Sequence, residues 1–349
     1  MAENLTLGLF LALPSLLGGL LVAFFRSRRA RSFRTGWFGL LTGNALLLLL
    51  LFSLTLLAGE VFIRFFYDTT DSLAHTKVSQ RWLQRHWQVN PAGVRDNIQY
   101  GVKIKPDHRR ITFVGDSFTA GHGVPDVEDR FVNRLRRRHP EWEVHALAEL
   151  GMDTGDEIKF LGECLGKGYE IDQVVLVYCL NDVSDLMPAW KEMQEKFLAS
   201  LDRTGWLKNS SYFLNWFYYR FQTMQNPQMK NYFQVVRETS QGPVWEEQKG
   251  RLRAFQELVE FGGGHLSVVT FPFLHAVGPD YEFQAVHDAL GRHWREMKVP
   301  HLDLLPVYRN LPARKITVNS FDAHPNEYAH ALAADAIEKF LQEHLPASR

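Results

Sequence analysis

The chain has 349 residues, 46% hydrophobic and 22% charged, and its 39 basic and 39 acidic side chains cancel to zero formal charge. That much apolar content excludes a disordered chain, and the neutral balance offers no bulk attraction to nucleic acid. Two cysteines, Cys164 and Cys179, are too few for a disulfide scaffold or a cysteine zinc site, and both read as buried thiols.

Residues 5–25 and 37–59 are uncharged runs, and each reaches the roughly 20 residues a helix needs to cross a hydrocarbon core. Pro14 would be costly in a soluble helix but is tolerated in a spanning one. Arg26, Arg28, Arg29, Arg31 and Arg34 lie between the runs. The positive-inside rule puts this loop, 26–36, in the cytoplasm and everything from Glu60 onward on the far side. No basic residue precedes the first run, so both are expected to stay as anchors rather than be cleaved. Glu60, Arg64, Phe65, Phe66 and Tyr67 mix charge with rings, as at a headgroup layer, and close an anchor over residues 1–67. Residues 68–109 read as an irregular juxtamembrane segment with a turn at Asn90-Pro91-Ala92-Gly93.

From Arg110 short β-rich runs alternate with helical spacing. Strands are expected at 111–114, 142–147, 173–178, 266–271 and 301–305, and helices at 131–138, 156–165 and 326–345. Strands without polar alternation, separated by helices, indicate a mostly parallel sheet covered on both faces. The interval 183–250 breaks this rhythm. It is rich in aromatic residues, Trp190, Trp206, Trp216 and Phe233 among them, and is too long for an ordinary connection. We read it as a helical insertion capping the site.

In open α/β sheets the ligand crevice lies beyond the carboxyl ends of the strands. Ser117 follows the first expected strand, Gly151 the second, and Asn181 and Asp182 the third, while Asp322 and His324 occupy a loop before the final helix. A serine hydroxyl becomes a useful nucleophile when a base takes its proton, and His324 can do so if an acid such as Asp322 fixes its tautomer. The amides of Ser117 and Gly151 and the side-chain amide of Asn181 are candidate oxyanion donors. Gly115 and Gly121 permit a tight strand-to-helix turn, which Asp116 braces or caps.

Gly115-Asp116-Ser117-Phe118, Gly151, Asn181-Asp182 and Asp322-Ala323-His324-Pro325-Asn326 together resemble the four signature blocks of the SGNH/GDSL hydrolase superfamily, in a membrane-anchored member of bacterial type. The resemblance implies a three-layer flavodoxin-like α/β fold over residues 110–349, after two transmembrane helices. It also implies cleavage of carboxylic esters through an acyl-enzyme. Ser117 would attack, His324 act as base and then acid, Asp322 orient it, and Ser117, Gly151 and Asn181 form the oxyanion hole. Two departures stand out. Phe118 replaces the usual leucine, and one residue separates Asp322 from His324 where the family often has two; Asp303 is the reserve acid. His330 is expected to pack on the last helix.

The implied partners are an ester-bearing substrate, on cell-envelope glycan or lipid, and the bilayer, with no nucleic acid. No nucleotide loop or metal-ligand cluster is evident, and the chemistry needs no cofactor or metal. Two other readings remain open here: an O-acyltransferase using the same serine, and a catalytically silent envelope protein, supported only by the shortened spacing of Asp322 and His324.

Overall fold

The computed structural model describes residues 2–26, 36–187, 192, 195–196, 205–225 and 227–345. The arginine loop at 27–35, which carries the orientation argument, and Trp190 lie outside them. The chain divides into two compact units, one of residues 1–69, 75–81 and 198–225, the other of 70–74, 82–197 and 226–349.

In the second unit five strands form one parallel sheet. They are β1 (Arg109–Gly115), β2 (Trp142–Ala148), β3 (Gln173–Cys179), β4 (His265–Phe271) and β5 (His301–Asp303), in the order β2-β1-β3-β4-β5. All seven residues of β3 are buried, as the sequence Gln-Val-Val-Leu-Val-Tyr-Cys demands of a central strand covered on both faces. The order changes direction between β1 and β3. Loops leaving those two strands therefore diverge, and a crevice opens at their carboxyl ends. The fifth strand is shorter than expected because a helical turn, Leu305–Tyr308, begins directly after it, with a proline in its first positions.

Helices cover the sheet. Phe131–Arg138 packs with Glu327–His344, and Thr154–Gly166 with Gly242–Phe261. The last of these buries Trp245, Gln248, Leu252, Phe255 and Val259, a 3-4-3-4 spacing that defines one helix face. Its opening turns fall within the aromatic interval, so the end of that interval is a core helix.

Among the described residues, two longer helices escape the sequence reading. Lys77–His86 forms in the segment expected to be irregular, where its polar composition hides the period. Gln284–Glu296 buries Val286, Ala289, Leu290 and Trp294. A further difference concerns residues 317–325. The expected loop holding Asp322 and His324 is instead a two-stranded antiparallel sheet of β6 (Thr317–Asn319) and β7 (Asp322–Pro325). Both cysteines are free thiols, but Cys164 is only half-buried, because it lies on a helix flank rather than in a central strand like Cys179.

The first unit holds two helices long and apolar enough to cross a membrane, Ala2–Arg26 and Trp37–Phe65, packed on each other with many leucines exposed. The second continues past Gly59. Glu60 and Arg64, expected at a headgroup layer, are buried: Arg64 lies 3.5 Å from Glu60 and donates to the Glu3 carbonyl at 2.9 Å. Buried charges persist only when paired and hydrogen-bonded, as these are. Within the aromatic interval, the helices Trp206–Ser210 and Tyr212–Gln225 belong to this unit, and Pro227–Glu238 to the other.

A buried ion cluster ties the former juxtamembrane segment into the second unit. Asp96 accepts from Arg130 at 2.6 Å, from Arg136 at 2.7 and 3.0 Å, and from the Tyr100 hydroxyl. Burial alone would push its carboxyl up, but Arg136 and Arg130 hold it well below the usual range. A depressed carboxyl stabilises the fold above its unfolded value of about 3.9, and that contribution fades as pH falls toward the depressed one. Asp96→Asn should therefore lower the melting temperature at pH 7 by roughly 10 °C, from about 3–5 kcal/mol at ~2–4 °C per kcal/mol. Calorimetry below pH ~4 should find the gap to wild type narrowing.

Candidate active site

Ser117 begins the short helix Ser117–Ala120 directly beyond β1 and is 7% exposed. The turn is built tightly. Asp116 caps it by accepting from the Phe118 amide at 2.9 Å, and Gly121 ends it in the left-handed region at φ 75°. Gly115 has no room for a side chain, since a Cβ there would meet the Val177 carbonyl of β3 at 2.9 Å. Arg95 braces the following loop, donating to the carbonyls of Gly121 at 2.5 Å and Val124 at 2.6 Å between the rings of Trp82 and Trp87. Burial lowers its guanidinium to about 9.

Ser117 Oγ lies 2.8 Å from His324 Nε2, and His324 Nδ1 lies 2.5 Å from Asp322 Oδ1. A carboxylate only accepts, so the ring proton sits on Nδ1 and Nε2 is left to accept from the serine. That is the tautomer a general base requires. The one-residue spacing between Asp322 and His324 is explained by β7: residues i and i+2 of a strand project to the same face. A loop needs a different count to achieve what a strand does with one intervening residue. The reserve acid Asp303 is elsewhere, accepting from His287 Nδ1 at 2.9 Å. Phe118, in place of leucine, packs edge-on to Phe271 and 5.2 Å from the His324 ring, so its larger side chain walls the imidazole.

Asp322 is fully buried and collects four donors. Oδ1 accepts from the amide and Nδ1 of His324, and Oδ2 from the Thr70 hydroxyl and from His122 Nε2 at 3.4 Å. Burial would push this carboxyl up; the His324 and His122 rings, with the hydrogen bonds, hold it well below the ordinary range. His122 shares its Nε2 proton between Asp322 and the Asp71 carbonyl at 3.1 Å, and its ring meets the His324 ring at 4.5 Å. Burial would lower its pKa, but the Asp322 charge and hydrogen bond raise it. Sequence reasoning missed both residues. His122 stood five residues beyond Ser117 as a visible signal; Thr70, 252 positions from Asp322, had none.

The remaining predicted residues are placed as follows. Asn181 donates through Nδ2 to Asp116 Oδ2 at 2.9 Å, and its buried Oδ1 has no partner among the described residues. Gly151 is exposed just past β2 at φ 74°, with open space where a Cβ would be. Asp182 accepts from the Cys179 amide at 2.9 Å, and its other oxygen is buried with no partner among the described residues. Near it in chemistry stands Glu157, buried with both oxygens unpartnered among the described residues. Burial raises all three carboxyls, Asp116, Glu157 and Asp182; the Asp116 charge pushes Glu157 further, and Glu157 pushes Asp182. His330 packs on Phe131 and is held near a pKa of about 3 by burial.

One ligand atom from each of His122, Asp322 and His324 lies within 4.8 Å of the others, a spacing that could hold a metal ion. Hydrogen bonds already account for the arrangement of these three side chains. The arrangement is consistent with a serine-dependent hydrolase working through an acyl-enzyme.

No family model and no curated protein matches the sequence. Solved structures do resemble it. The lipase/acylhydrolase from Enterococcus faecalis is 16% identical, with 69% of this chain and 99% of that one covered at TM-score 0.41. The psychrotrophic esterase EstA from Pseudoalteromonas sp. is 13% identical, with 68% and 98% covered at 0.42. TesA is 13% identical, with 67% and 99% covered at 0.44. These likenesses carry no chemistry to this chain, which rests on the side chains above.

Thr70→Val keeps the shape at Asp322 and removes one donor to its charge. Hydrogen bonds to charged groups contribute about 1.5–3 kcal/mol, so labelling of Ser117 by a fluorophosphonate should slow roughly 10–100-fold. Timed labelling of the two proteins, read by intact mass, measures this.

Proposed function

We propose that this chain is a membrane-tethered serine ester hydrolase of the SGNH/GDSL type. The single observation that carries the reading is the continuous hydrogen-bonded line from Ser117 through His324 to the buried Asp322. Ser117 Oγ attacks the acyl carbon as its proton passes to His324 Nε2. The imidazolium so formed is stabilised by Asp322, and its proton goes to the departing alkoxide. Water then repeats the sequence: His324 takes its proton as its oxygen attacks the acyl-enzyme, and collapse releases the acid while His324 returns the proton to Ser117 Oγ.

For the oxyanion we assign the Ser117 amide, the Gly151 amide and the Asn181 side chain. Support for Asn181 is its tether to Asp116, which keeps one amide hydrogen occupied and leaves the other available. Gly151 is supported by its position directly after β2 and its open surroundings. A catalytically silent role loses its one sequence argument, since β7 makes the short Asp322–His324 spacing productive.

Two apolar helices of spanning length support the tether, and the arginine-rich sequence between them supports a catalytic unit outside the cytoplasm. On that reading the substrate is an ester of the cell envelope, on glycan or lipid. Full-length protein in detergent should hydrolyse a short acyl-nitrophenyl ester. Ser117→Ala and His324→Ala should each lower kcat by about 10⁴-fold or more while the circular dichroism spectrum is unchanged. Equal turnover in Ser117→Ala and wild type would sink the mechanism.

A further inference from the structure

The first unit contains an apolar surface that neither its two long helices nor the hydrolase chemistry uses. Residues 206–225 carry eight aromatic side chains, two cations and no acid. Their position within the unit is fixed at three points. Glu60 caps the helix Tyr212–Gln225, its carboxylate accepting from the Ser211 hydroxyl at 2.7 Å, the Tyr212 amide at 3.2 Å and the Phe213 amide at 2.9 Å. Thr6 and Ser210 share a hydrogen bond of 2.6 Å. The Phe213 ring lies so close to Gly59 that a Cβ there would meet it at 2.7 Å.

Thr6 stands near the start of the first apolar helix and Glu60 near the end of the second, so these contacts bring residues 206–213 to the level where both apolar runs stop. Charged groups gather at the same level: Arg64, Lys77 and Arg81, ion-paired with Glu3, Glu60 and Asp68, stand 5.0–5.3 Å from the centre of the Tyr212 ring. From there the helix presents Phe217, Phe221 and Met224, which are 58%, 53% and 71% exposed. Spacings of four and three put these three on one stripe. Trp206 and Leu207 are exposed before it, and Phe62, Phe65 and Phe66 at the end of the second apolar helix.

We propose that the helix Tyr212–Gln225 lies in the interfacial layer of the bilayer, with Phe217, Phe221 and Met224 seated among the headgroups and upper acyl chains. The inference rests on the reading that the two long helices span that bilayer. The occupant is lipid because the stripe continues the exposed apolar surface of those helices at their end. Its composition also suits that layer, since tryptophan and tyrosine favour the headgroup level. A soluble helix with this face would leave three large apolar side chains in water.

The test uses the full chain in vesicles of phosphatidylcholine with phosphatidylglycerol, in a Cys164→Ser background, with nitroxide labels on single introduced cysteines. Phe217→Cys, Phe221→Cys and Met224→Cys probe the stripe, Leu48→Cys and Phe52→Cys probe the second long helix, and the exposed Lys159→Cys gives the aqueous reference. Relaxation by oxygen should exceed relaxation by a nickel chelate at 217, 221 and 224, with depths shallower than at 48. Nickel accessibility at the stripe equal to that at 159, with 48 and 52 still lipid-exposed, overturns the proposal and leaves the spanning reading intact. Aqueous values at 48 and 52 overturn both. Spin–spin broadening at 217 and 221 that disappears on dilution with unlabelled protein would mean that a second copy covers the stripe, and also overturns it.

Discussion

The carboxylate of Asp322 is the constraint on which the catalytic arrangement depends. It is wholly removed from solvent, and a buried charge is tolerated only when its oxygens are filled with donors. Here the donors come from three separate stretches of chain: Thr70 before the sheet, His122 after the Ser117 turn, and His324 two residues along β7. Satisfying that one charge therefore holds the segment around Thr70, the nucleophile loop and the C-terminal hairpin in register. The imidazole orientation toward Ser117 follows from it. A well-depressed carboxyl also stays ionised through the whole range in which an imidazole can act as a base.

Behind the serine the electrostatics run the opposite way. Asp116, Asp182 and Glu157 lie buried with too few donors, and burial raises each of them. Asp116 is the best supplied of the three, holding the Phe118 amide and Asn181, and so links the nucleophile turn to the residue after β3. The carboxyl beside the base is thus held low, while burial raises those behind the nucleophile. The difference lies in the donor count at equal burial.

In the first unit a different buried acid has the comparable organising role. Glu60 ends the uncharged run, yet instead of reaching solvent it caps the helix Tyr212–Gln225 and pairs with Arg64. Its charge is met by three donors at a helix N-terminus, where a negative group is also favoured by the helix dipole. An acid near the end of a long apolar helix and an aromatic helix far along the chain thereby become one structure.

The sequence by itself determined the local elements. Short β-rich runs at 111–114, 142–147 and 173–178 read as strands, and all three appear, the first extended by two residues at its start and one at its end, the others by one residue at the end. The Gly-Asp-Ser turn and His324 were legible for the same reason, since tight turns and catalytic side chains announce themselves within a few residues. Tertiary structure decided what depends on distant partners. Thr70 carries no local signal, because its role exists only when 252 positions of chain have been folded back onto it. The identity of the orienting acid was likewise beyond the sequence. In a loop, one intervening residue leaves Asp322 uncertain and Asp303 plausible. Pairing of β6 with β7 makes residues two apart share a face, and that pairing settles Asp322 against His324 while Asp303 goes to His287. Helix Gly242–Phe261 shows the same division: its period was written in the chain, but only the packed sheet revealed that its apolar face belongs to the core. Short-range periodicity and turn chemistry are local properties of the polymer, whereas burial of a charge is a property of everything that surrounds it.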